Sequence, residues 1–168
     1  MENYVANVIP HLRQWWPVII QLAYLVGLGF ALTSFVLAVS GKHRFNRSPA
    51  VWTFVCAVLL LNLPAFMDSL AMTVFNQSSE RSLSYSPPDS PASVYIQFAV
   101  YGIATIGVIG IARGLCLMRD TPNRAMNFNR GIVHLIGGII AVNLVTFLRG
   151  LGATIGGDVQ TYVARIIG

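Results

Sequence analysis

Charged residues are scarce in this sequence. Of its 168 residues, 10% are charged and 55% are hydrophobic, and the mean hydropathy is +0.64. A soluble domain carries about 25% charged residues, so this chain has too few to cover a surface that faces water. The scarcity excludes an ordinary soluble domain and favours a chain that is surrounded by lipid.

Residues that carry chemistry are also few. The two cysteines, Cys56 and Cys116, and the three histidines, His11, His43 and His134, show none of the spacings that bind metals. No phosphate-binding loop, nucleophile motif or carboxylate pair appears. The sequence therefore predicts no catalytic residue, no metal site, no cofactor and no enzyme activity. The sequence leaves open whether the protein binds phospholipid.

Four long apolar runs dominate the chain. They cover residues 16–39, 51–75, 94–118 and 131–148. A bilayer core about 30 Å thick needs roughly 20 apolar residues in a helix, and the backbone in lipid must satisfy its own hydrogen bonds. The runs therefore predict an all-α membrane protein with four transmembrane helices. Apolar residues at helical spacing near both chain ends predict short amphipathic terminal helices.

Basic residues are concentrated in two loops, which hold seven of the eleven Lys and Arg residues. The positive-inside rule puts both loops in the cytoplasm and both termini outside. Such loops also attract the phosphates of anionic phospholipid or of nucleic acid. The candidate residues for phosphate contact are Lys42, Arg44, Arg47, Arg119 and Arg124.

An internal repeat relates the second and fourth runs. Residues 62–73 align without gaps on residues 143–154, at an offset of 81 residues, and Asn, Leu, Phe, Leu and Thr match. Each half of the chain then reads as a hairpin of two spans, and the two hairpins follow each other in tandem. The predicted organisation is a single membrane domain, 1–168, with hairpins at about 15–76 and 93–157, an outer loop at 77–92 and an amphipathic tail at 158–168.

The repeat places Asp68 opposite Arg149 at equivalent depths in their spans. Ionisable groups inside a membrane are costly and usually paired, so the alignment predicts an ion pair within one subunit or between two. The alternative is that both side chains extend separately to the lipid headgroups. Asn62 and Asn143, also equivalent in the repeat, predict hydrogen bonds between helices or, alternatively, a solute pathway.

Small residues recur in several spans. Helices in lipid meet through such residues, because lipid gives little hydrophobic drive for association. They predict a tight bundle and a homo-oligomer. The candidate packing residues are Gly27, Gly29, Gly107, Gly110, Gly114, Gly137, Gly152 and Gly156.

These features resemble the TraQ and IcmC (DotE) family of membrane proteins from conjugative plasmids and Dot/Icm type IV secretion systems, over most of the chain. The segments that carry the resemblance are Gly27-Leu-Gly-Phe30, Leu63-Pro64 with Asp68, Thr73-Val-Phe75 and Gly131-Ile-Val-His-Leu-Ile-Gly-Gly-Ile-Ile-Ala-Val-Asn-Leu144. The resemblance implies a non-enzymatic structural subunit of an apparatus that transfers DNA or protein. It also implies a bacterial inner-membrane location and other subunits of the apparatus as partners. In that membrane, the termini that the positive-inside rule puts outside are periplasmic.

A looser likeness connects each half of the chain to conjugative pilins, which are helical hairpins with a basic loop, stacked with lipid into a tube. In such a tube the basic loops face lipid headgroups and the transferred single-stranded DNA. Two alternatives therefore stay open. One is a pilin-like subunit that ends in an extracellular pilus, and the other is a small channel or holin-like protein.

Overall fold

The computed structural model describes residues 2–40, 48–76, 93–119 and 125–167. This part of the chain is helical and contains no strand, which confirms the all-α prediction. Its helices are α1 (Glu2–Val39), α2 (Ser48–Leu61), α3 (Leu63–Phe75), α4 (Ser93–Arg119), α5 (Ala125–Val142), α6 (Leu144–Ile155) and α7 (Gly157–Ile167). The basic residues Lys42, Arg44, Arg47 and Arg124, and the outer loop at 77–92, lie outside the described residues.

Two helices are each long and apolar enough to cross a membrane. They are α1, over Asn7–Val39, and α4, over Val94–Arg119, whose most apolar 18-residue stretches have mean hydropathies of 2.2 and 1.9. The N-terminal segment is continuous with the first span, because α1 runs unbroken through Pro10 and Pro17. The prediction of a separate amphipathic helix at this terminus is therefore wrong. At the other end, α7 closely matches the predicted tail.

The second and fourth apolar runs are each divided into two helices. The angle between the two halves is 91° for α2 and α3, and 85° for α5 and α6. Within the described residues, two helices are long and apolar enough to cross a membrane, or up to four spans are possible if each bent pair counts as one. The predicted number of four transmembrane helices stays a prediction, because it requires each bent pair to act as one span.

The two bends lie at Asn62 and Asn143, the equivalent asparagines of the repeat. Their backbone angles nearly coincide, with φ −111° and ψ 31° at Asn62, and φ −107° and ψ 33° at Asn143. In each case the side-chain amide donates to the carbonyl four residues earlier, at 3.1 Å to Val58 and 3.0 Å to Ile139. The backbone N–H of each asparagine donates to the same carbonyl, at 3.0 Å and 3.1 Å. Asparagine side chains that bond nearby backbone groups are unfavourable inside a helix, and the same local arrangement stands at both bends.

The amide nitrogens of Asn62 and Asn143 thus bond within their own runs, and they form none of the predicted bonds to another helix among the residues that the structure describes. Pro64 adds to the first bend, because it has no N–H to donate to an earlier carbonyl. The second bend has no proline near it, and Asn143 is buried there with its Oδ1 unbonded. Asparagine is therefore the feature that the two bends share.

Helices α1 to α5 all contribute buried side chains to the main apolar core. Helix α4 packs most closely against α5, and α1 packs against both α2 and α4. Fully buried side chains from three of these helices meet at the centre, among them Leu60, Val108, Ile111 and Val142. Much of the outer surface of α1 is apolar and exposed, including Leu25, Leu32 and Phe35 at 61%, 70% and 69% exposure.

Candidate functional site

Four glycines form the contact between α4 and α5. A Cβ atom on Gly107 would lie 2.8 Å from the carbonyl oxygen of Gly138, and one on Gly114 would lie 2.8 Å from that of Gly131. The reciprocal distances are 2.5 Å and 2.9 Å. Only glycine permits this approach of the two backbones. The pairs are Gly107 with Gly138 and Gly114 with Gly131. The two glycines of each helix are seven residues apart, so both pairs meet when the helices run antiparallel.

The other predicted packing glycines have different surroundings. A Cβ on Gly27 would meet Leu60 and Leu61 of α2 at 3.1 Å, whereas one on Gly110 would make ordinary contact with α5. Gly152 faces Val163 at 3.2 Å and so joins α6 to α7. Gly29, Gly137 and Gly156 have open space where a Cβ would stand, and Gly156 has a φ of +71° at the turn between α6 and α7.

Two of the four glycines at the α4–α5 contact were not among the sequence candidates. Gly138 makes the close contact, and its neighbour Gly137, which was a candidate, faces open space. The seven-residue spacing from Gly131 to Gly138 mirrors that from Gly107 to Gly114. That shared spacing is the signal that could have found them.

Two contacts between a guanidinium and an aromatic ring join α1 to α4. Arg13 lies over the ring of Tyr101 at 5.8 Å, and Arg119 lies over the ring of Phe30 at 4.7 Å. Each contact is favourable by about 0.5–1 kcal/mol at an exposed site. Because Arg13 precedes Phe30 and Tyr101 precedes Arg119, the two helices are parallel. Residues 40 and 119 therefore lie at the same end of this pair.

The two guanidinium contacts mark levels separated by about 26 Å, at 1.5 Å of rise for each residue of α1 between them. A bilayer core is about 30 Å thick. The spacing therefore fits one arginine at each boundary of the lipid. Arg13 and Tyr101 were not sequence candidates, because their meeting depends on how α1 is placed against α4.

The predicted ion pair stays a prediction. Asp68 is half-buried in α3 and Arg149 is exposed in α6. The two helices are neighbours, since the rings of Phe75 and Phe147 lie 6.4 Å apart. This contact near the ends of the helices does not by itself bring the two charges together.

Exchange of the two charges tests the pair. We expect Asp68→Ala and Arg149→Ala each to weaken assembly, and the double variant Asp68→Arg with Arg149→Asp to recover part of it. An exposed pair is worth about 1 kcal/mol or less, and loss of one partner of a buried pair costs about 3–5 kcal/mol. The oligomer fraction in detergent measures the effect. Normal assembly of both single variants would favour separate contact with headgroups.

The part of the chain that the structure describes holds no group of three or more His, Cys, Asp or Glu side chains that could bind a metal ion. No family model, no curated protein and no solved structure matches the chain. The fold thus defines a class, an all-helical protein with two to four helices suited to a membrane, and the resemblance to the TraQ and IcmC family stays a prediction.

Proposed function

We propose that the chain crosses the membrane four times. Helices α1 and α4 are unbroken spans in this arrangement, and the bent pairs α2–α3 and α5–α6 are broken spans. The parallel packing of α1 and α4 supports it, since residues 40 and 119 then lie at one end beside the two basic loops. By the positive-inside rule that end is cytoplasmic, and both termini are periplasmic.

Labelling of cysteines at the ends of α1 and α3 tests this topology. In a background with Cys56→Ala and Cys116→Ala, a membrane-impermeant thiol reagent added to intact cells should label Asn76→Cys and leave Ser40→Cys unlabelled. Both positions are exposed in the structure, so accessibility on the protein itself is matched. If α2 and α3 form a re-entrant loop instead, both cysteines will lie on the same side of the membrane, and the reagent will label both or neither.

We propose further that the protein is a non-enzymatic structural subunit of a conjugative or type IV secretion apparatus, oligomerising in the inner membrane with other subunits. The observation that carries this proposal is the repeated unit, in which an unbroken helix packs against a helix that is interrupted at an equivalent asparagine. The broad apolar surface of α1 supports it, because that surface suits lipid and neighbouring subunits. The type of apparatus is inferred from the sequence resemblance to the TraQ and IcmC family.

A pilin-like subunit that assembles with lipid is the second candidate within this class. It is favoured by the two hairpins α1–α2 and α4–α5, which pack tightly and carry basic loops at one end. The small channel or holin-like protein is the rival from another class. Bends at membrane depth favour that rival, because broken helices line ion and substrate sites in transporters.

Electron microscopy of the purified assembly distinguishes these functions. A ring or other closed oligomer is the expected result for a subunit of the membrane apparatus, and a lipid-containing filament would indicate the pilin-like subunit. Liposomes that contain the protein should not release a trapped ionic dye above the level of empty liposomes. Isolated bundles that release the dye would contradict the structural proposal and favour a channel.

A further inference from the structure

A cleft of about 320 Å³ opens between the N-terminal halves of α1 and α4. Both helices contribute polar and apolar side chains to its wall. The lining residues are Ile9, Pro10, Arg13, Gln14, Gln97 and Tyr101. The cleft lies at the end of the helix pair opposite Arg119, and it holds none of the residues that the sequence analysis singled out.

The polar wall of the cleft is organised around Tyr101, whose side chain is fully buried at 0% exposure. Its hydroxyl oxygen accepts a hydrogen bond from Arg13 Nη2 at 3.2 Å and another from Gln97 Nε2 at 3.1 Å. The guanidinium also lies over the tyrosine ring at 5.8 Å. These contacts hold a positive charge and an amide in a defined geometry before any ligand arrives, which lowers the entropic cost of binding.

This chemistry suits a phosphate group. A guanidinium has five N–H donors in a planar fork that matches phosphate oxygens, and such charge-assisted bonds are about twice as strong as neutral ones. An amide side chain adds further donors beside it.

The depth of the cleft indicates where the phosphate comes from. Arg13 stands about 26 Å along α1 from the level of the Arg119–Phe30 contact, close to the bilayer core thickness of about 30 Å. Trp15 and Tyr95 near it are 61% and 44% exposed, and exposed Trp and Tyr side chains are typical of the headgroup level. A phospholipid headgroup occupies the same level.

We propose that this cleft binds the headgroup phosphate of an anionic phospholipid from the outer leaflet. The inference rests on the proposed orientation across the membrane, and it is separate from lipid contact at the basic loops. The lipid wedges between the ends of α1 and α4, with its phosphate on Arg13 and Gln97. It thereby links the first hairpin to the second at their periplasmic side.

Native mass spectrometry of the delipidated full-length protein tests the proposal. Short-chain phosphatidylglycerol should bind at one saturable high-affinity site per chain, more tightly than short-chain phosphatidylcholine, and inorganic phosphate should not displace it. Arg13→Gln should weaken phosphatidylglycerol binding about tenfold or more, which corresponds to about 1.4 kcal/mol. Arg13→Lys, which keeps the charge without the fork, should fall between Arg13→Gln and the wild type.

The matched control is Arg165→Gln, which removes the same charge from an exposed position on α7. It should bind phosphatidylglycerol as the wild type does. Equal weakening by Arg165→Gln, equal affinity for phosphatidylcholine, or displacement by inorganic phosphate would each overturn the proposal. So would the absence of a saturable site on the wild type. None of these outcomes depends on whether the assembly is a ring, a filament or a single bundle, so the proposed function is tested separately.

Discussion

Replacement of Gly138 by alanine is expected to destabilise the α4–α5 pair, while the same change at the adjacent Gly137 is not. The new methyl group at Gly138 would lie 2.5 Å from the carbonyl oxygen of Gly107 and 2.7 Å from Cγ1 of Ile111. Carbon atoms are at their optimum at about 3.5–4.0 Å, and a backbone oxygen cannot turn aside. The two helices must therefore separate along their contact.

The expected loss is about 1–3 kcal/mol, the usual result of overpacking a tight contact. Alanine favours a helix over glycine by about 1 kcal/mol, which opposes the loss at Gly138 and acts alone at Gly137, where a methyl group meets open space. Gly137→Ala should therefore be neutral or slightly stabilising. Loss of helical circular dichroism on titration with denaturing detergent measures both variants.

Gly107→Ala provides an independent check from the other helix. Its methyl group would meet the Gly138 carbonyl oxygen at 2.8 Å and Cβ of Ala141 at 2.9 Å, so it should weaken the same contact. Equal stability of Gly138→Ala and Gly137→Ala would show that α4 and α5 do not approach at these glycines. An intact pair in Gly107→Ala would lead to the same conclusion.

The helical fold was predictable because the apolar runs are long, and a helix is the local structure that satisfies the backbone inside each run. The bends were not, although the sequence repeat placed Asn62 and Asn143 at equivalent positions. Inside an apolar run, one asparagine alone indicates a polar contact as readily as an interruption. In the structure, each side-chain amide bonds the carbonyl four residues earlier in its own run, and the composition of the run does not specify that partner.

Some residues of the candidate site were likewise predictable from the sequence, and others were not. Gly107 and Gly114 were recognisable because small residues at regular spacing mark a contact face within one helix. Their partners on α5 depend on the register between two helices, which the spacing within one helix leaves undetermined. Arg13 and Tyr101 are 88 residues apart in sequence, and no local sequence pattern in either helix predicts that they meet.

Replacement of Arg44, Arg47, Arg119 and Arg124 with glutamine is expected to have the largest effect on function. Only Arg119 lies within the described residues, where it is half-buried over Phe30. Each basic residue near an anionic surface contributes about 1 kcal/mol of attraction. Loss of all four should therefore reduce lipid retention and transfer by a large factor, and should weaken the charge bias that orients the chain.

The same four positions replaced with lysine form the matched control. Lysine preserves positive charge and hence the expected topology, but it lacks the planar fork that binds phosphate oxygens in pairs and stacks on a ring such as Phe30. If arginine geometry matters, the lysine variant should insert correctly and still lose transfer or bound lipid. If charge alone matters, it should behave as the wild type.

Transfer frequency from a complemented host and the phospholipid that co-purifies with the protein are the two measurements. Together with thiol labelling at Asn76→Cys, they separate wrong insertion from lost contact. A glutamine variant that is oriented correctly, keeps its lipid and supports full transfer would show that the basic loops make no functional phosphate contact.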